Sequence, residues 1–215
     1  MDTLALQAGT DKATSYHGYT ALYGRLFAPF RDKPIRLLEL GWGESFSPGG
    51  PGASARLWRA YFPKADIAFI DLRPQGDDVP GVTRYQGDQA DPDLLAQVAA
   101  EHGPFDVIID DASHVSSLTI ASFALLWPHL NPGGWYVVED THQAYHAHFY
   151  GSADANPDPD APCGTGQTAM QFLRRLADEV NYRADGELYP ARYHRGYFVD
   201  ELIFRYNIAA ARKAP

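Results

Sequence analysis

Short apolar runs alternate with helix-like patterns along most of the chain. The apolar runs predict strands at 35–40, 67–70, 82–86, 107–109 and 135–138. Apolar residues recur at helical spacing in three intervening segments, which predicts one helix capped by Ser54, one opened by Pro92 and one over 117–130. Strands that are apolar throughout and alternate with helices are typical of a parallel sheet covered on both faces. The pattern therefore predicts an α/β fold.

The regular alternation stops after residue 150. Prolines and aspartates are frequent in 151–166, and this composition excludes a helix or a strand there. The segment is either a solvated linker or a flexible lid over a cleft. Beyond it, an apolar stripe from Met170 to Val180 predicts a helix, and alternation over 202–208 predicts a final strand. Residues 1–34 are expected to form an N-terminal helical segment that covers the substrate.

Composition and charge narrow the class of partner. The chain has 215 residues, 45% of them hydrophobic, which is enough for one domain with its own core, spanning 1–215. The formal net charge is −9, so we expect neither nucleic acid nor an anionic membrane as a partner. Cys163 is the only cysteine, and residues 1–6 do not resemble a signal peptide. These features predict a cytoplasmic protein.

Polar residues follow each of the first five predicted strands. The carboxyl ends of parallel strands are the edge at which open α/β sheets bind ligands. Gly41 and Gly43 allow a tight turn, but Phe46 replaces the glycine that a dinucleotide fingerprint needs. Acids after the second and third strands suit S-adenosylmethionine instead, with Asp71 on the ribose hydroxyls. A purely structural turn is the competing interpretation. The expected cofactor-binding residues are Glu39, Gly41, Gly43, Ser54, Asp71, Asp88, Gln89 and Asp110.

A second group of acids is expected to bind a metal ion. Asp111, Glu139 and Asp140 follow two predicted strands, and they would repel one another unless a cation lay between them. Oxygen ligands without a thiolate favour Mg²⁺ or Mn²⁺, although these acids could instead cap the helices that follow. His114, three residues after Asp111, can accept a proton near neutral pH. We therefore expect His114 and Asp111 as catalytic residues.

Six short motifs, taken together, resemble a known family. They are Gly9-Thr10-Asp11-Lys12, His17-Gly18-Tyr19, Leu38-Glu39-Leu40-Gly41, Gly87-Asp88-Gln89, Ile109-Asp110-Asp111-Ala112-Ser113-His114 and Val138-Glu139-Asp140-Thr141-His142. This series resembles the metal-dependent sugar O-methyltransferases of macrolide and related antibiotic pathways, which include the mycinamicin-type and rhamnosyl O-methyltransferases. The similarity covers about residues 9–150. Ala112 departs from the family pattern, in which glycine is usual at that position.

The resemblance implies a Rossmann-like class I methyltransferase fold with an antiparallel last strand. It also implies S-adenosylmethionine and Mg²⁺ as cofactors, with Asp111, Glu139 and Asp140 as metal ligands and His114 as general base. The implied substrate is a deoxysugar hydroxyl of a glycosylated natural product, and self-association is compatible with the chain's aromatic content. The alternatives are a catechol or phenol O-methyltransferase of the same fold, a non-catalytic cofactor-binding partner of a tailoring enzyme and, more remotely, a dehydrogenase.

Overall fold

Seven strands form one sheet in the part of the chain that the computed structural model describes, which is residues 1–43, 47–149, 168–181 and 196–215. Strands β1 to β7 span Arg36–Leu40, Asp66–Asp71, Thr83–Gln86, Phe105–Asp110, Leu130–Glu139, Val199–Arg205 and Ile208–Lys213. Their order across the sheet is β3-β2-β1-β4-β5-β7-β6. Strands β1 to β5 are parallel, and β7 is antiparallel to β5 and β6. The mostly parallel sheet with an antiparallel last strand is thus confirmed.

Helices cover both faces of this sheet. Helices α1 to α6 span Asp2–Ala8, Thr20–Phe27, Ala53–Tyr61, Pro92–His102, Ser116–Leu126 and Ala169–Asn181. Because strand side chains alternate between faces, the buried residues form two clusters. One contains Tyr23 of α2 and Trp58 of α3, and the other contains Leu95 of α4, Phe123 of α5 and Phe172 of α6. Each large apolar side chain buried in this way contributes about 1.5–3 kcal/mol.

The strand order reverses between β1 and β4, and this creates a crevice at their carboxyl ends. Leu40 of β1 pairs with Asp110 of β4, so the two strands end side by side. The amide of Asp111 then donates to the carbonyl oxygen of Leu40 at 2.9 Å. The chain segments that leave β1 and β4 are therefore held together at the mouth of this crevice.

The start of α3 differs from the prediction. The helix begins at Ala53 after Gly52, whose φ is 73°, and Ser54 makes no capping hydrogen bond. Gly52 is required there because a Cβ at that position would lie 2.7 Å from the Trp42 ring. Ser54 is instead buried within the first turn of the helix. The prediction of Ser54 as a helix cap was therefore wrong.

The helix predicted over 117–130 is shorter than expected. Helix α5 ends at Leu126, a 3₁₀ turn follows at Trp127–His129, and β5 begins at Leu130. Pro128 has no amide hydrogen and cannot continue an α-helical ladder, which accounts for the early end. Residues 131–134, which the sequence places after a helix, belong to β5.

The final strand predicted over 202–208 is in fact a hairpin. Strands β6 and β7 are joined at Tyr206 and Asn207, and Asn207 has a φ of 59°, a conformation that asparagine tolerates better than most residues. The alternation of apolar residues continues through the turn, so the pattern alone did not reveal it.

Two other predictions concern the region after residue 140. The helix predicted between Met170 and Val180 is confirmed as α6. The loop or lid predicted at 151–166 lies outside the described residues. Among the described residues, no helix is both long enough and apolar enough to cross a membrane.

Candidate active site

One cleft of about 400 Å³ opens at the carboxyl ends of the five parallel strands, β1 to β5. The segment between α1 and α2 forms part of its wall through Thr10, Asp11 and Lys12. The predicted site residues that line this cleft are Gly41, Gly43, Ser54, Asp71, Asp88, Gln89, Asp111, His114 and Asp140. Most of the residues expected to bind a cofactor and two of the three expected metal ligands, Asp111 and Asp140, thus share one cavity.

The turn after β1 requires glycine where it approaches β4. Gly41 has a φ of 101°, and a Cβ there would lie 2.1 Å from the carbonyl oxygen of Asp111. Gly43 has a φ of 83°, and a Cβ there would meet no atom within 4 Å. Gly41 is therefore fixed by packing between strand ends. Gly43 supplies the positive φ of the turn at the edge of the open cleft.

Asp71, at the end of β2, holds the neighbouring loop and the glycine turn together. The backbone amide of Trp42 donates to its Oδ2 at 2.8 Å, and the amide of Arg73 donates to its Oδ1 at 2.7 Å. Each carboxylate oxygen keeps a second acceptor position. Asp71 therefore has a fixed orientation at the cleft and can still accept hydrogen bonds from a ligand.

Asp110 lies behind the cleft wall and orients Gln89, which lines the cleft. It is buried, and the Gln89 side-chain amide donates to its Oδ1 at 3.2 Å. The other end of that amide, Gln89 Oε1, accepts from the backbone amide of Ser113 at 3.0 Å. Burial raises the pKa of Asp110 to about 6. Asp110 does not line the cleft, and its geometry supports an indirect effect through Gln89.

The group best arranged for a metal ion consists of Asp111, His114 and Asp140. Each offers one ligand atom, and these atoms lie within 4.8 Å of one another. His114 Nε2 is 3.7 Å from Asp140 Oδ2, and the hydroxyl of Tyr19 donates to Asp140 Oδ1 at 2.6 Å. Two carboxylates and an imidazole form a donor set that divalent cations accept. The chemistry of these side chains therefore fits a bound divalent ion.

Glu139, the third expected metal ligand, has other partners in this structure. It is 3% exposed, and the hydroxyl of Tyr23 donates to its Oε1. The ammonium of Lys12 donates to its Oε2 at 2.8 Å. Burial, followed by repulsion from Asp111, raises the pKa of Glu139 well above its usual value. Glu139 thus lies behind the cleft, next to the group formed by Asp111, His114 and Asp140.

Glu39 is also buried behind the cleft. The indole nitrogen of Trp58 donates to its Oε2, and the ammonium of Lys12 lies 3.6 Å from its Oε1. Burial raises the pKa of Glu39 to about 7, although the charge of Lys12 opposes that shift. Glu39 was expected to bind the cofactor, and the structure places it next to the cleft wall without lining it.

Lys12 is the site residue that sequence reasoning missed. Its ammonium lies 2.5 Å from Asp111 Oδ2, and it also contacts Glu39 and Glu139. Burial alone would lower the pKa of Lys12, but attraction to the three carboxylates outweighs burial and raises it well above the usual value. The available signal was the Gly9–Lys12 motif, to which the sequence interpretation assigned no role.

Comparisons with known proteins identify the relatives of this chain, although no protein-family model matches it. It is 38% identical over 189 residues to an L-olivosyl-oleandolide 3-O-methyltransferase of Streptomyces antibioticus, covering 86% of this chain and 47% of that protein. It is 36% identical to a mycinamicin VI 2''-O-methyltransferase of Micromonospora griseorubida, covering 81% of this chain and 42% of that protein. The chain is a relative of the antibiotic-pathway sugar O-methyltransferases.

A solved structure agrees with this relationship. The chain aligns with the structure of MycE methyltransferase in complex with Mg, SAH and mycinamycin VI, with a TM-score of 0.84 and 33% identity. The alignment covers 99% of this chain and 53% of MycE. The family resemblance and the methyltransferase fold predicted from the sequence are therefore confirmed. The chain spans about half the length of the curated relatives it matches, and the roles of its individual site residues stay predictions.

Proposed function

We propose that this chain transfers a methyl group from S-adenosylmethionine to a sugar hydroxyl of a glycosylated natural product, with the help of Mg²⁺ or Mn²⁺. The observation that carries the proposal is the meeting of two groups in one cleft. Asp71 and the glycine turn line the same cleft as Asp111, His114 and Asp140. Such an arrangement can bring a methyl donor and a metal-bound acceptor together.

The part of the cleft lined by Gly43, Asp71, Asp88 and Gln89 is called the cofactor half, and it fits a nucleoside with a charged tail. Bound S-adenosylmethionine would supply a methyl group on a positively charged sulfur. Asp71 would accept hydrogen bonds from the ribose hydroxyls, because two backbone amides already fix its carboxylate. Asp88 and Gln89 would border the adenine, and Gly43 would let the ligand approach the backbone.

The metal half of the cleft fits a hard divalent cation. A bound Mg²⁺ would stabilise the negative charge that develops on an acceptor oxygen. Asp111 and Asp140 would bind the ion, and Glu139, the third ligand expected from the sequence, lies directly behind them. Tyr19 holds the Asp140 carboxylate in place through its 2.6 Å hydrogen bond.

His114 is the residue we assign as general base. Its Nε2 faces the same space as the carboxylates, 3.7 Å from Asp140 Oδ2, and its side chain is 23% exposed. With Asp111 and Asp140 holding the ion, the Nε2 of His114 would stay unligated. It can then take the proton of the acceptor hydroxyl as the oxygen attacks the methyl carbon and the bond from that carbon to the donor sulfur breaks. Asp140 would orient the ring and offset the charge that it gains.

We infer the acceptor class from the relatives. MycE was solved with mycinamycin VI, and the curated relatives are named for methylation of glycosylated oleandolide, tetracenomycin and mycinamicin. A glycosylated small molecule is therefore the acceptor we propose for this chain. A single domain, a cytoplasmic location, self-association and the lack of nucleic-acid or membrane partners stay predictions from the sequence.

The test is methyl transfer from labelled S-adenosylmethionine to a panel of glycosylated and phenolic acceptors. We expect transfer to a glycosylated acceptor, loss of transfer in EDTA and recovery on adding Mg²⁺. His114→Ala should bind the cofactor normally and lose about 10²–10⁴-fold in rate. His129→Ala, in the turn before β5, is the matched control and should keep full activity. Full activity in EDTA would contradict the metal requirement, and transfer to phenols alone would contradict the acceptor class.

A further inference from the structure

Lys12 occupies a position that the proposed reaction does not explain. Its side chain is 1% exposed, yet it carries a full positive charge into the protein. Its ammonium contacts Asp111 at 2.5 Å, Glu139 at 2.8 Å and Glu39 at 3.6 Å. A buried lysine is costly unless carboxylates pair with it, and here three of them do.

The three acids come from adjacent strands. Glu39 lies in β1, Asp111 directly follows β4, and Glu139 ends β5. Their negative charges would repel one another strongly in such a buried place. Lys12 and the three acids form an inner cluster of four groups. Its net charge is −2 when all four are ionised, whereas the three acids without Lys12 would carry −3. Lys12 therefore serves as a counter-ion that lets the acids lie together.

Asp111 connects this inner cluster to the outer group, which consists of Asp111, His114 and Asp140 and fits a metal ion. Its Oδ2 accepts from Lys12, while the same carboxylate belongs to the set formed with His114 and Asp140. A cation in the outer group and the ammonium of Lys12 would thus act on a shared carboxylate from two sides. Their effects on stability cannot be independent.

We propose that Lys12 is a positioning residue: the built-in counter-ion of Glu39, Asp111 and Glu139, energetically coupled to the divalent cation of the outer group. The coupling to the cation rests on the proposed function, whereas the counter-ion role does not. Removing the positive charge leaves the acids under-compensated, so the cluster should then gain more from a divalent cation than it does in the original protein.

The first experiment measures thermal unfolding in EDTA, without any catalytic readout. Lys12→Met should lower the Tm by about 10 °C, because it leaves buried carboxylates unpaired. Lys12→Met combined with Glu139→Gln should recover a large part of that loss, because the double variant has the same cluster charge as the original protein. Lys64→Met, at an exposed lysine, is the matched control and should leave the Tm nearly unchanged. If the double variant is no more stable than Lys12→Met, or stays unfolded with it, the counter-ion role is overturned.

The second experiment repeats the unfolding with excess Mg²⁺. We expect a larger rise in Tm for Lys12→Met than for the original protein and for Lys64→Met. Equal rises would overturn the coupling between Lys12 and the cation. If Mg²⁺ stabilises none of the proteins while the double variant still recovers stability in EDTA, the proposed metal role fails and the counter-ion role stands.

Discussion

His114 and Asp140 share a backbone conformation that non-glycine residues rarely adopt. Their φ values are 57° and 50°. Each such residue costs about 1–3 kcal/mol, and it persists only where the surroundings fix it. The hydroxyl of Tyr19 provides one such contact, because it donates to Asp140 Oδ1. Two of the four non-glycine residues with a positive φ in the described part of the chain therefore lie at the proposed metal position.

Tyr19→Phe tests how far this contact matters. The change removes the hydroxyl, which lies 2.6 Å from Asp140 Oδ1 and 3.2 Å from the carbonyl oxygen of Asn207, so we expect the Mg²⁺ concentration for half-maximal methyl transfer to rise about 10–100-fold. Tyr16→Phe is the control, since Tyr16 is 58% exposed and should tolerate the change. The measurement is a Mg²⁺ titration of the initial rate at saturating acceptor. An unchanged Mg²⁺ requirement in Tyr19→Phe would argue against Asp140 as a ligand.

The raised pKa of Asp110 predicts that the stability of the protein depends on pH. Burial raises the pKa of Asp110 to about 6, from an ordinary value near 4. The folded state therefore binds this proton more tightly than the unfolded state, and the stability linked to Asp110 is lost as the pH rises from about 4 to 6. Asp110→Asn cannot ionise, so this loss should be absent.

The free energy of unfolding of Asp110→Asn, relative to that of the original protein, should therefore be about 2 kcal/mol higher at pH 8 than at pH 4.5. Urea unfolding at the two pH values measures this difference. Asp106→Asn, at the partly exposed acid within β4, is the control and should show a smaller change. A difference that does not depend on pH would show that Asp110 titrates normally.

At the scale of elements, the segment between α1 and α2 supplies both Lys12 and Tyr19 to the site. Asp2 of α1 ties this segment down: its Oδ1 accepts from the amide of Thr14 at 2.8 Å and from the hydroxyl of Thr20 at 2.7 Å. The hydroxyl of Thr14 donates to its Oδ2 at 2.6 Å. One carboxylate thus connects α1, the connecting segment and the start of α2.

Asp2→Ala should loosen this connection. Hydrogen bonds from Thr14 and Thr20 lower the pKa of Asp2, so its stabilising effect is present above about pH 4 and is lost as the pH falls further. Because Asp2 is only partly buried, we expect a loss of no more than about 1 kcal/mol at pH 7, decreasing toward pH 3. Denaturant unfolding across this range measures the effect, with Asp32→Ala as an exposed control. A loss that stays constant down to pH 3 would contradict the hydrogen-bond explanation.

The strands and helices also show which features could be predicted from the sequence and which could not. Strands β1, β2, β4 and β5 were visible as apolar runs, because parallel strands buried on both faces need continuous apolar residues. Strand β3 lies at the sheet edge and has no buried residue. The β6–β7 hairpin was missed because apolar alternation runs through Tyr206 and Asn207. Lys12 was missed for a different reason: its partners Asp111 and Glu139 are 99 and 127 residues away, and no local pattern encodes such pairs.

At the scale of the whole molecule, the cleft lies where both halves of the sheet meet. Segments that follow β1, β2, β3, β4 and β5 line it, together with the N-terminal segment. A ligand that binds this cleft contacts elements far apart in sequence, which are held together only in the folded state. Binding should therefore stabilise the entire described fold, and thermal unfolding can detect it without any knowledge of the acceptor.

S-adenosylhomocysteine, the product form of the methyl donor, should raise the Tm of the chain. At a ligand concentration about 100 times its Kd, the stabilisation is about 2.7 kcal/mol, which corresponds to a Tm increase of roughly 5–10 °C in a protein of this size. Asp71→Ala should lose most of this increase, because Asp71 is the acid that faces the cofactor half of the cleft. Asp178→Ala, at an exposed acid of α6, should keep the full increase. If NADH raises the Tm and S-adenosylhomocysteine does not, the cofactor half of the cleft serves a dinucleotide, and Asp71 would have to be reassigned to its ribose.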